Sequence, residues 1–323
     1  MRKSKFGFRA RFLLPMLILG FVNLPVANAR PSDHPKCKGV KQWYEGKCRY
    51  ADEIEQLKRE AKKKARKKKK NSKSPRKKTR KKATLTDGMV FVPGGTFEIG
   101  CVRANDENCL PGESPRHKVE LDAYYIDQSE VTVEQFRKCV DAKACDISEV
   151  KTGIGECNWD KWNRNDHPIN CVDWEQSRTF CEWKKKRLPT EAEWERAASG
   201  GEERFFPWKG RSAHCLFSVM LNVSWGCGKG RTWPVCSKPK GNTDAGLCDM
   251  AGNVSEWTQD FFSETFYVNS PRKDPMNGRD SGYRTHRGGS WTDTGELLRV
   301  SSRQRSKPKS RLHSVGFRCA LSK

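Results

Sequence analysis

Arg287-Gly288-Gly289-Ser290-Trp291 and, 25 residues further on, Gly316-Phe317-Arg318-Cys319 are the two stretches that decide how this chain of 323 residues folds. Paired glycines before a Ser-aromatic step are typical of a tight turn whose backbone approaches its neighbours closely. No cysteine lies between Trp291 and Cys319. This segment therefore offers no sulfur ligand to a soft metal ion.

Two further motifs lie upstream, Arg187-Leu188-Pro189-Thr190-Glu191-Ala192-Glu193-Trp194-Glu195 and Asp249-Met250-Ala251-Gly252-Asn253-Val254-Ser255-Glu256-Trp257. In this order the four motifs resemble the formylglycine-generating enzyme family, also called the sulfatase-modifying factor or FGE-sulfatase family. The resemblance runs from about Asp87 to the C terminus and points to an exported bacterial member. It implies a mixed α+β fold with much irregular backbone, related to C-type lectins.

The resemblance also implies a catalytic position that this chain fills differently. Enzymes of the family carry a Cys-x4-Cys pair just after the Gly-Gly-Ser-aromatic turn. That pair holds Cu(I) while oxygen converts a substrate cysteine to formylglycine. Here Asp293 takes the first position, and Thr292, Thr294 and Leu298 supply no sulfur. Because Cu(I) selects sulfur, we expect no copper, and the chain is predicted to be a pseudoenzyme.

The motif Asp249–Trp257 is the strongest candidate for a metal site. In the family, the positions that match Asp249, the carbonyls of Gly252 and Val254, and Glu256 hold a calcium ion. Calcium prefers carboxylate and carbonyl oxygens, and an irregular turn can direct several of them at one point. The alternative is a turn held only by hydrogen bonds of the Asx type.

A second family calcium site would begin at Asn222 and the carbonyl of Val223, and it is the less favoured of the two. Its next carboxylate is expected near Gly226-Cys227-Gly228, where the sequence has none. A disulfide there is the alternative means of fixing that loop.

The 14 cysteines predict a disulfide framework, since an even count in an exported chain favours pairing. Spacing suggests six local pairs: Cys37–Cys48, Cys101–Cys109, Cys139–Cys145, Cys157–Cys171, Cys215–Cys227 and Cys236–Cys248. Cys181 and Cys319 remain. The family resemblance supports joining them, and sequence alone proves none of the seven pairs.

The N-terminal part divides into three predicted segments. Residues 1–29 combine a basic start, a short apolar run and Ala27-Asn28-Ala29, which indicates a secretory signal and a periplasmic or extracellular destination. The run is too short to span a membrane; an uncleaved interfacial anchor is the alternative. Residues 30–57 form a small segment with one disulfide. Residues 58–86 are a basic low-complexity linker before the domain 87–323.

Most of the net charge of +24 lies in that linker. Residues 58–82 hold 17 Lys and Arg against one Glu, which leaves residues 83–323 at only +2. Such a tract attracts polyanions by counterion release without sequence specificity. We therefore predict a polyanionic surface or polymer as a partner of residues 58–82.

Within the domain, residues 89–97 predict two strands around a turn, and residues 119–126 predict one further strand. Capping boxes predict three helices, starting after Thr132, Asp173 and Thr190. Eleven tryptophans indicate a core built largely from aromatic rings.

Other metal chemistry finds little support, because the six histidines contain no His-x3-His pair. His117 matches a family position that shapes the start of a strand. Six cationic side chains of the terminal segment are candidates for lining a groove that takes a peptide or glycan. They are Arg299, Arg303, Arg305, Lys307, Lys309 and Arg311.

The sequence favours an exported, non-catalytic binding or structural module. The alternative is an enzyme, either a divergent formylglycine-generating oxidase or another chemistry in the same groove.

Overall fold

The computed structural model describes residues 42–44, 47–49, 86–148, 150 and 156–323. The chain divides into the units Met1–Lys81 and Lys82–Lys323. In the first unit, β1 (Gln42–Tyr44) and β2 (Lys47–Arg49) pair as an antiparallel hairpin. The predicted signal segment, the side chains of the Cys37–Cys48 pair and the basic tract 58–82 lie outside the described residues.

The second unit contains three small sheets. Its strands are β3 (Met89–Val92), β4 (Gly95–Ile99), β5 (His117–Leu121), β6 (Tyr124–Asp127), β7 (Ser255–Phe261), β8 (Arg284–Arg287), β9 (Arg303–Ser306), β10 (Val315–Gly316) and β11 (Ala320–Ser322). The largest sheet has the order β10-β7-β8-β9, in which only the β10–β7 pair is parallel. The others are β11-β6-β3 and β4-β5. The mixed α+β class expected from the sequence is confirmed.

The single strand predicted over residues 119–126 was wrong. The chain breaks at Asp122-Ala123, so β5 pairs with β4 and β6 pairs with β3 and β11. The break is held by Asp274, whose Oδ1 accepts the Asp122 N–H at 2.8 Å. Leu121 before the break and residues 123–126 after it are apolar, and hydrophobic pattern alone cannot reveal such a break.

The three helices are α1 (Val133–Asp141), α2 (Trp174–Trp183) and α3 (Glu191–Ser199). Each begins with the predicted capping box: Thr132 with Gln135, Asp173 with Gln176, and Thr190 with Glu193. Gly200 ends α3 in the left-handed conformation, which glycine adopts without a Cβ clash. No helix in the described part of the chain has both the length and the apolar composition of a membrane span.

Aromatic rings supply the largest buried side chains, as the tryptophan content predicted, although aliphatic side chains and cysteines make up most of the core. Trp194, Trp257 and Trp291 are fully buried. Phe136 stacks on Phe180 with ring centroids 5.5 Å apart, and both rings meet Phe317. Such contacts contribute about 0.5–1.5 kcal/mol each beyond the area that they bury.

Six disulfides tie the domain together, and they join the cysteines that the sequence paired. They are Cys101–Cys109, Cys139–Cys145, Cys157–Cys171, Cys181–Cys319, Cys215–Cys227 and Cys236–Cys248. The Cys181–Cys319 bond spans 138 residues and fastens α2 to the C-terminal strand. In the loop-entropy model a closure of this length stabilises by at most about 5 kcal/mol.

Candidate functional site

The four motifs converge on one buried carboxylate, Glu256 of β7. Gly316 of β10 lies on one side of Glu256 and Arg287 of β8 on the other. Trp194 of α3 donates its indole N–H to Glu256 Oε2 at 2.8 Å. Segments that are far apart in the sequence therefore share one site.

Arg318 holds Glu256 from both sides of the carboxylate. Its Nε lies 2.6 Å from Oε2 and its Nη2 lies 2.7 Å from Oε1. The guanidinium also donates to the carbonyls of Asp127, Gln128 and Cys248. Arg318 is fully buried, so this bidentate pair is shielded from water and links the segment between β10 and β11 to β7.

Two further buried carboxylates, Asp249 and Glu130, lie near the same guanidinium. Cys236 N–H donates to Asp249 Oδ2 at 2.5 Å, and Asn253 Nδ2 donates to Glu130 Oε1 at 3.0 Å. Glu130 Oε2 is buried and has no hydrogen-bond partner. Three carboxylates thus surround one cation, and the cluster carries an excess of negative charge.

That excess is visible in the pKa values. Burial raises the pKa of Glu130 well above its usual range, and the charge of Asp249 raises it further. Burial also raises the pKa of Asp249. An unpaired buried charge is costly, so this pair favours either a shared proton or a bound cation. Sequence reasoning missed Glu130. It is separated from Asn253 by 123 positions along the chain, and nothing in the sequence signals that these two residues are in contact.

The turn that precedes Glu256 is tightly constrained. Gly252 has φ +82°, and a Cβ there would lie 2.5 Å from the Val219 carbonyl, so only glycine fits. Asn253 also has positive φ and donates its N–H to the same carbonyl. Among the described residues, the one group of three Cys, His, Asp or Glu ligand atoms within 4.8 Å of one another is Cys101, Cys109 and Glu113, and both of its sulfurs are in a disulfide.

The weaker calcium position lacks acidic ligands in the structure too. Asn222 and Val223 are exposed, and Val223 has φ +63°. Cys227 of the same loop is bonded to Cys215. This disulfide constrains the loop where the resemblance placed a metal.

Asp293, at the first catalytic position of the family, is held in a tight polar turn. Ser290 Oγ donates to Asp293 Oδ2 at 2.8 Å, and the Asp293 N–H donates to the Ser290 carbonyl. Leu298 is fully buried in an apolar cluster against which Cys215 and Cys227 pack. No cysteine described with its side chain is a free thiol.

For two of the six groove candidates, the expected position at a groove was wrong. Arg299 and Arg303 are buried: Arg299 pairs with Asp106 and Glu113, and Arg303 pairs with Glu191. Their carboxylate partners are more than 100 residues away along the chain, so the sequence could not place them.

The other four groove candidates lie nearer the surface. Arg305 pairs with Glu264, and Arg311 pairs with Asp173. Lys307 and Lys309 are exposed. A polar cleft of about 610 Å³ opens beside Arg299, between residues 103–108 and 205–213.

Two of the described histidines, His117 and His286, take structural positions. His117 begins β5, contacts the Pro115 carbonyl and Ser270, and lies edge-on to Tyr267. His286 is buried on β8, 2.7 Å from Ser255 Oγ and 3.1 Å from Ser306 Oγ. Burial lowers the pKa of His286 to about 4.

His286 is expected to make the fold sensitive to acid. Its pKa is near 6.5 when unfolded and about 4 when folded, so the unfolded chain takes up the proton first as the pH falls. Stability from this group is complete above pH 6.5 and falls by about 3 kcal/mol toward pH 4. The free energy of unfolding should therefore depend less on pH in this window after His286→Gln.

Denaturant unfolding from pH 4 to 7 measures the free energy of unfolding of the variant and the parent. The raised pKa values of Glu130 and Asp249 give an opposing pH dependence, which both proteins share and which cancels in their difference. His313→Gln, at an exposed histidine, is the control. A pH dependence unchanged in His286→Gln would contradict the assignment.

Comparison with known proteins agrees with this architecture. The sulfatase-modifying factor enzyme 1-like domain matches residues 73–323. The chain is 31% identical over 291 residues to the formylglycine-generating enzyme of Streptomyces coelicolor, covering 73% of this chain and 89% of that protein. It is 27% identical over 283 residues to the inactive C-alpha-formylglycine-generating enzyme 2 of Bos taurus, covering 73% and 88%.

One similar protein is longer, and one solved structure has the same fold. Serine/threonine-protein kinase pkn1 of Chlamydia pneumoniae is 32% identical over 245 residues, which are 72% of this chain but 37% of that protein. The structure of PvdO from Pseudomonas aeruginosa superposes with a TM-score of 0.64 at 24% identity, covering 73% of this chain and 94% of that one. The chain belongs to the FGE-sulfatase family of sulfatase-modifying factor enzyme 1-like domains.

Proposed function

We propose that the chain is an exported, non-catalytic binding or structural module on the sulfatase-modifying factor fold. The observation that carries the proposal is Asp293, which Ser290 holds at the position where family oxidases have their first copper-binding cysteine. The family also includes a relative that bears the word inactive in its name. The test is whether the protein oxidises a cysteine peptide with copper present; a non-catalytic module leaves the peptide unchanged.

Export is supported by the disulfides and by the N-terminal sequence. Disulfides persist in oxidising compartments, and six of them hold this domain. The basic tract 58–82 would hold the module to a polyanionic surface or polymer, since its cations outnumber its one carboxylate by 17 to 1.

The module would bind calcium through Asp249, the carbonyls of Gly252 and Val254, and Glu256, with Glu130 adding negative charge. The support is the orphaned Glu130 Oε2 and the raised pKa of both Glu130 and Asp249. A calcium ion supplies the positive charge that Arg318 alone does not. Glu256 is the weakest of these ligands because both of its oxygens already accept hydrogen bonds from Arg318.

Calcium is expected to raise the melting temperature, and Asp249→Asn is expected to abolish that rise. Binding to the native state alone adds about 2.7 kcal/mol when calcium is 100-fold above its Kd. The amide keeps the hydrogen bond from Cys236 N–H and removes one uncompensated charge. The variant should therefore melt higher than the parent in chelator and show no further rise with calcium.

Thermal unfolding in calcium and in chelator measures both effects, and Asp141→Asn, at an exposed carboxylate that ends α1, is the control. If calcium does not change the melting temperature of the parent while Asp249→Asn still raises it, Glu130 and Asp249 share a proton and the turn is held by its hydrogen bonds without a metal ion.

The alternative function, a divergent oxidase, is favoured by one observation. The Cys215–Cys227 disulfide packs against the cluster that contains Leu298, the second cysteine position of the family. These two cysteines are therefore the pair able to place sulfur near that position from another segment. The polar cleft beside Arg299 would then take the peptide; in the binding module it takes a peptide or a glycan.

A further inference from the structure

Four cationic side chains lie around the loop from Trp225 to Trp233. They are Arg164, Lys229, Arg231 and Lys238. None of them takes part in the salt bridges found among the described residues. Other described cations also lack a salt bridge, Lys307 and Lys309 among them, so the feature of interest is that these four lie close together.

The loop is built to keep these charges together. Gly226 has φ +56°, and a Cβ there would lie 2.3 Å from the Arg231 carbonyl, so the two ends of the loop touch. The Gly230 N–H donates to the Trp225 carbonyl at 2.9 Å, and Cys227 is tied to Cys215. A loop closed in this way cannot move its cations apart by opening.

Two of the cations pack against the same indole ring, that of Trp233. Lys229 Nζ lies 3.5 Å and Lys238 Nζ 3.9 Å from the ring centroid of Trp233. The Trp233 indole N–H is fixed to the Gly226 carbonyl, and Lys238 Nζ donates to the Cys215 carbonyl. Burial and the charge of Lys229 lower the pKa of Lys238, which shows that the two ammonium groups repel each other.

Arg164 and Arg231 add positive charge to this region. Arg164 is buried and donates to Asn158 Oδ1 at 2.6 Å; burial lowers its pKa, and the charge of Arg231 lowers it further. The negative charges that act on this region are those of Asp166, near His167, and Asp249, near Lys238. Neither forms a salt bridge with the cluster, so positive charge predominates.

An aromatic surface adjoins the cations. Trp225 is 56% exposed and leans edge-on against buried Trp291. Val223, beside it, is fully exposed. Cations held together next to an exposed indole match a ligand that has anionic groups and apolar faces.

We propose that this loop, with Arg164 beneath it, is a binding site for an acidic carbohydrate whose sugars carry sulfate or carboxylate groups. The anionic groups would pair with Lys229 and Arg231, and one sugar face would lie on Trp225. A nucleic acid has similar chemistry, but the disulfides favour an oxidising compartment outside the cytosol, and so a carbohydrate rather than a nucleic acid. The choice of carbohydrate rests on the export proposed above; the anion site itself does not.

The probe is a heparin tetrasaccharide, and the readout is intrinsic tryptophan fluorescence of the full chain. Residues 58–82 contain no tryptophan, so binding there adds little to the signal. Lys229→Gln/Arg231→Gln is expected to weaken the tetrasaccharide about tenfold, since two charge-assisted contacts are lost. Lys118→Gln/Lys143→Gln removes the same charge from exposed positions elsewhere and should change the affinity less than roughly twofold.

Trp225→Ala is expected to weaken the tetrasaccharide roughly threefold to tenfold, with Trp233 as the remaining reporter in the loop. Melting temperatures equal to that of the parent show that each variant is folded. Equal affinity of the parent and Lys229→Gln/Arg231→Gln, or no saturable fluorescence change in the parent, would overturn the site. A single-stranded oligonucleotide that binds more tightly than the tetrasaccharide, with the same dependence on Trp225, would overturn the carbohydrate assignment.

Discussion

Replacing Arg318 with Met is expected to lower the free energy of unfolding by at least about 3–5 kcal/mol, the usual cost of removing one partner from a buried ion pair. The substitution leaves Glu256, Asp249 and Glu130 buried without their cation. It also removes the donors to the Asp127, Gln128 and Cys248 carbonyls. Few single substitutions in this domain would leave so many buried polar groups unpaired.

A double variant separates the ion pair from the rest of the site. Glu256→Gln keeps an acceptor for the Trp194 N–H and removes the charge that Arg318 neutralises. Combined with Arg318→Met, it should restore part of the lost stability, and the coupling free energy follows from the double-mutant cycle. Acid should also partly restore the single variant, because protonation removes the unpaired charges.

Arg305→Met, at an exposed arginine paired with Glu264, is the matched control and should cost no more than about 1 kcal/mol. Denaturant unfolding of five proteins measures the differences: the parent, the two single variants of the cycle, the double variant and the control. A loss from Arg318→Met as small as that of the control would mean that the carboxylates are protonated in the native state and do not need the guanidinium.

The sequence predicts what is local in this protein. A capping box is written within four residues, and all three boxes occur where expected. Short cysteine spacings behave in the same way, since two cysteines about a dozen residues apart in irregular chain have few other partners. Both signals depend on neighbours along the chain and need no knowledge of the fold.

The sequence could not predict contacts between residues that are far apart along the chain. Glu130 joins Asp249 only because the fold brings the segment between β6 and α1 against the Asp249–Trp257 segment. Arg299 and Arg303 resemble surface cations in a polar segment, yet carboxylates more than 100 residues away draw them inside. Burial of a charge depends on its partner, and composition does not state where the partner is.

The protein is expected not to convert the cysteine of a sulfatase-type Cys-x-Pro-x-Arg peptide to formylglycine, with or without copper. Cu(I) needs sulfur ligands beside the substrate thiol, and the turn after Trp291 presents Asp293 and Thr292 instead. Asp293 is held by the Ser290 hydroxyl, so it is also unavailable to move aside for another ligand. Mass spectrometry of the peptide detects the loss of sulfur on conversion to the aldehyde.

The same assay identifies where activity would come from, should any be found. The Streptomyces coelicolor formylglycine-generating enzyme is the positive control, and Asp293→Cys should remain inactive because Leu298 leaves the second thiolate missing. Copper-dependent turnover by the unmodified protein would defeat the binding-module proposal. If that turnover requires a thiol reductant and is lost in Cys215→Ser/Cys227→Ser, two-electron reduction of this disulfide supplies the thiolates, and the family's chemistry persists with its sulfur supplied by the loop that packs against Leu298.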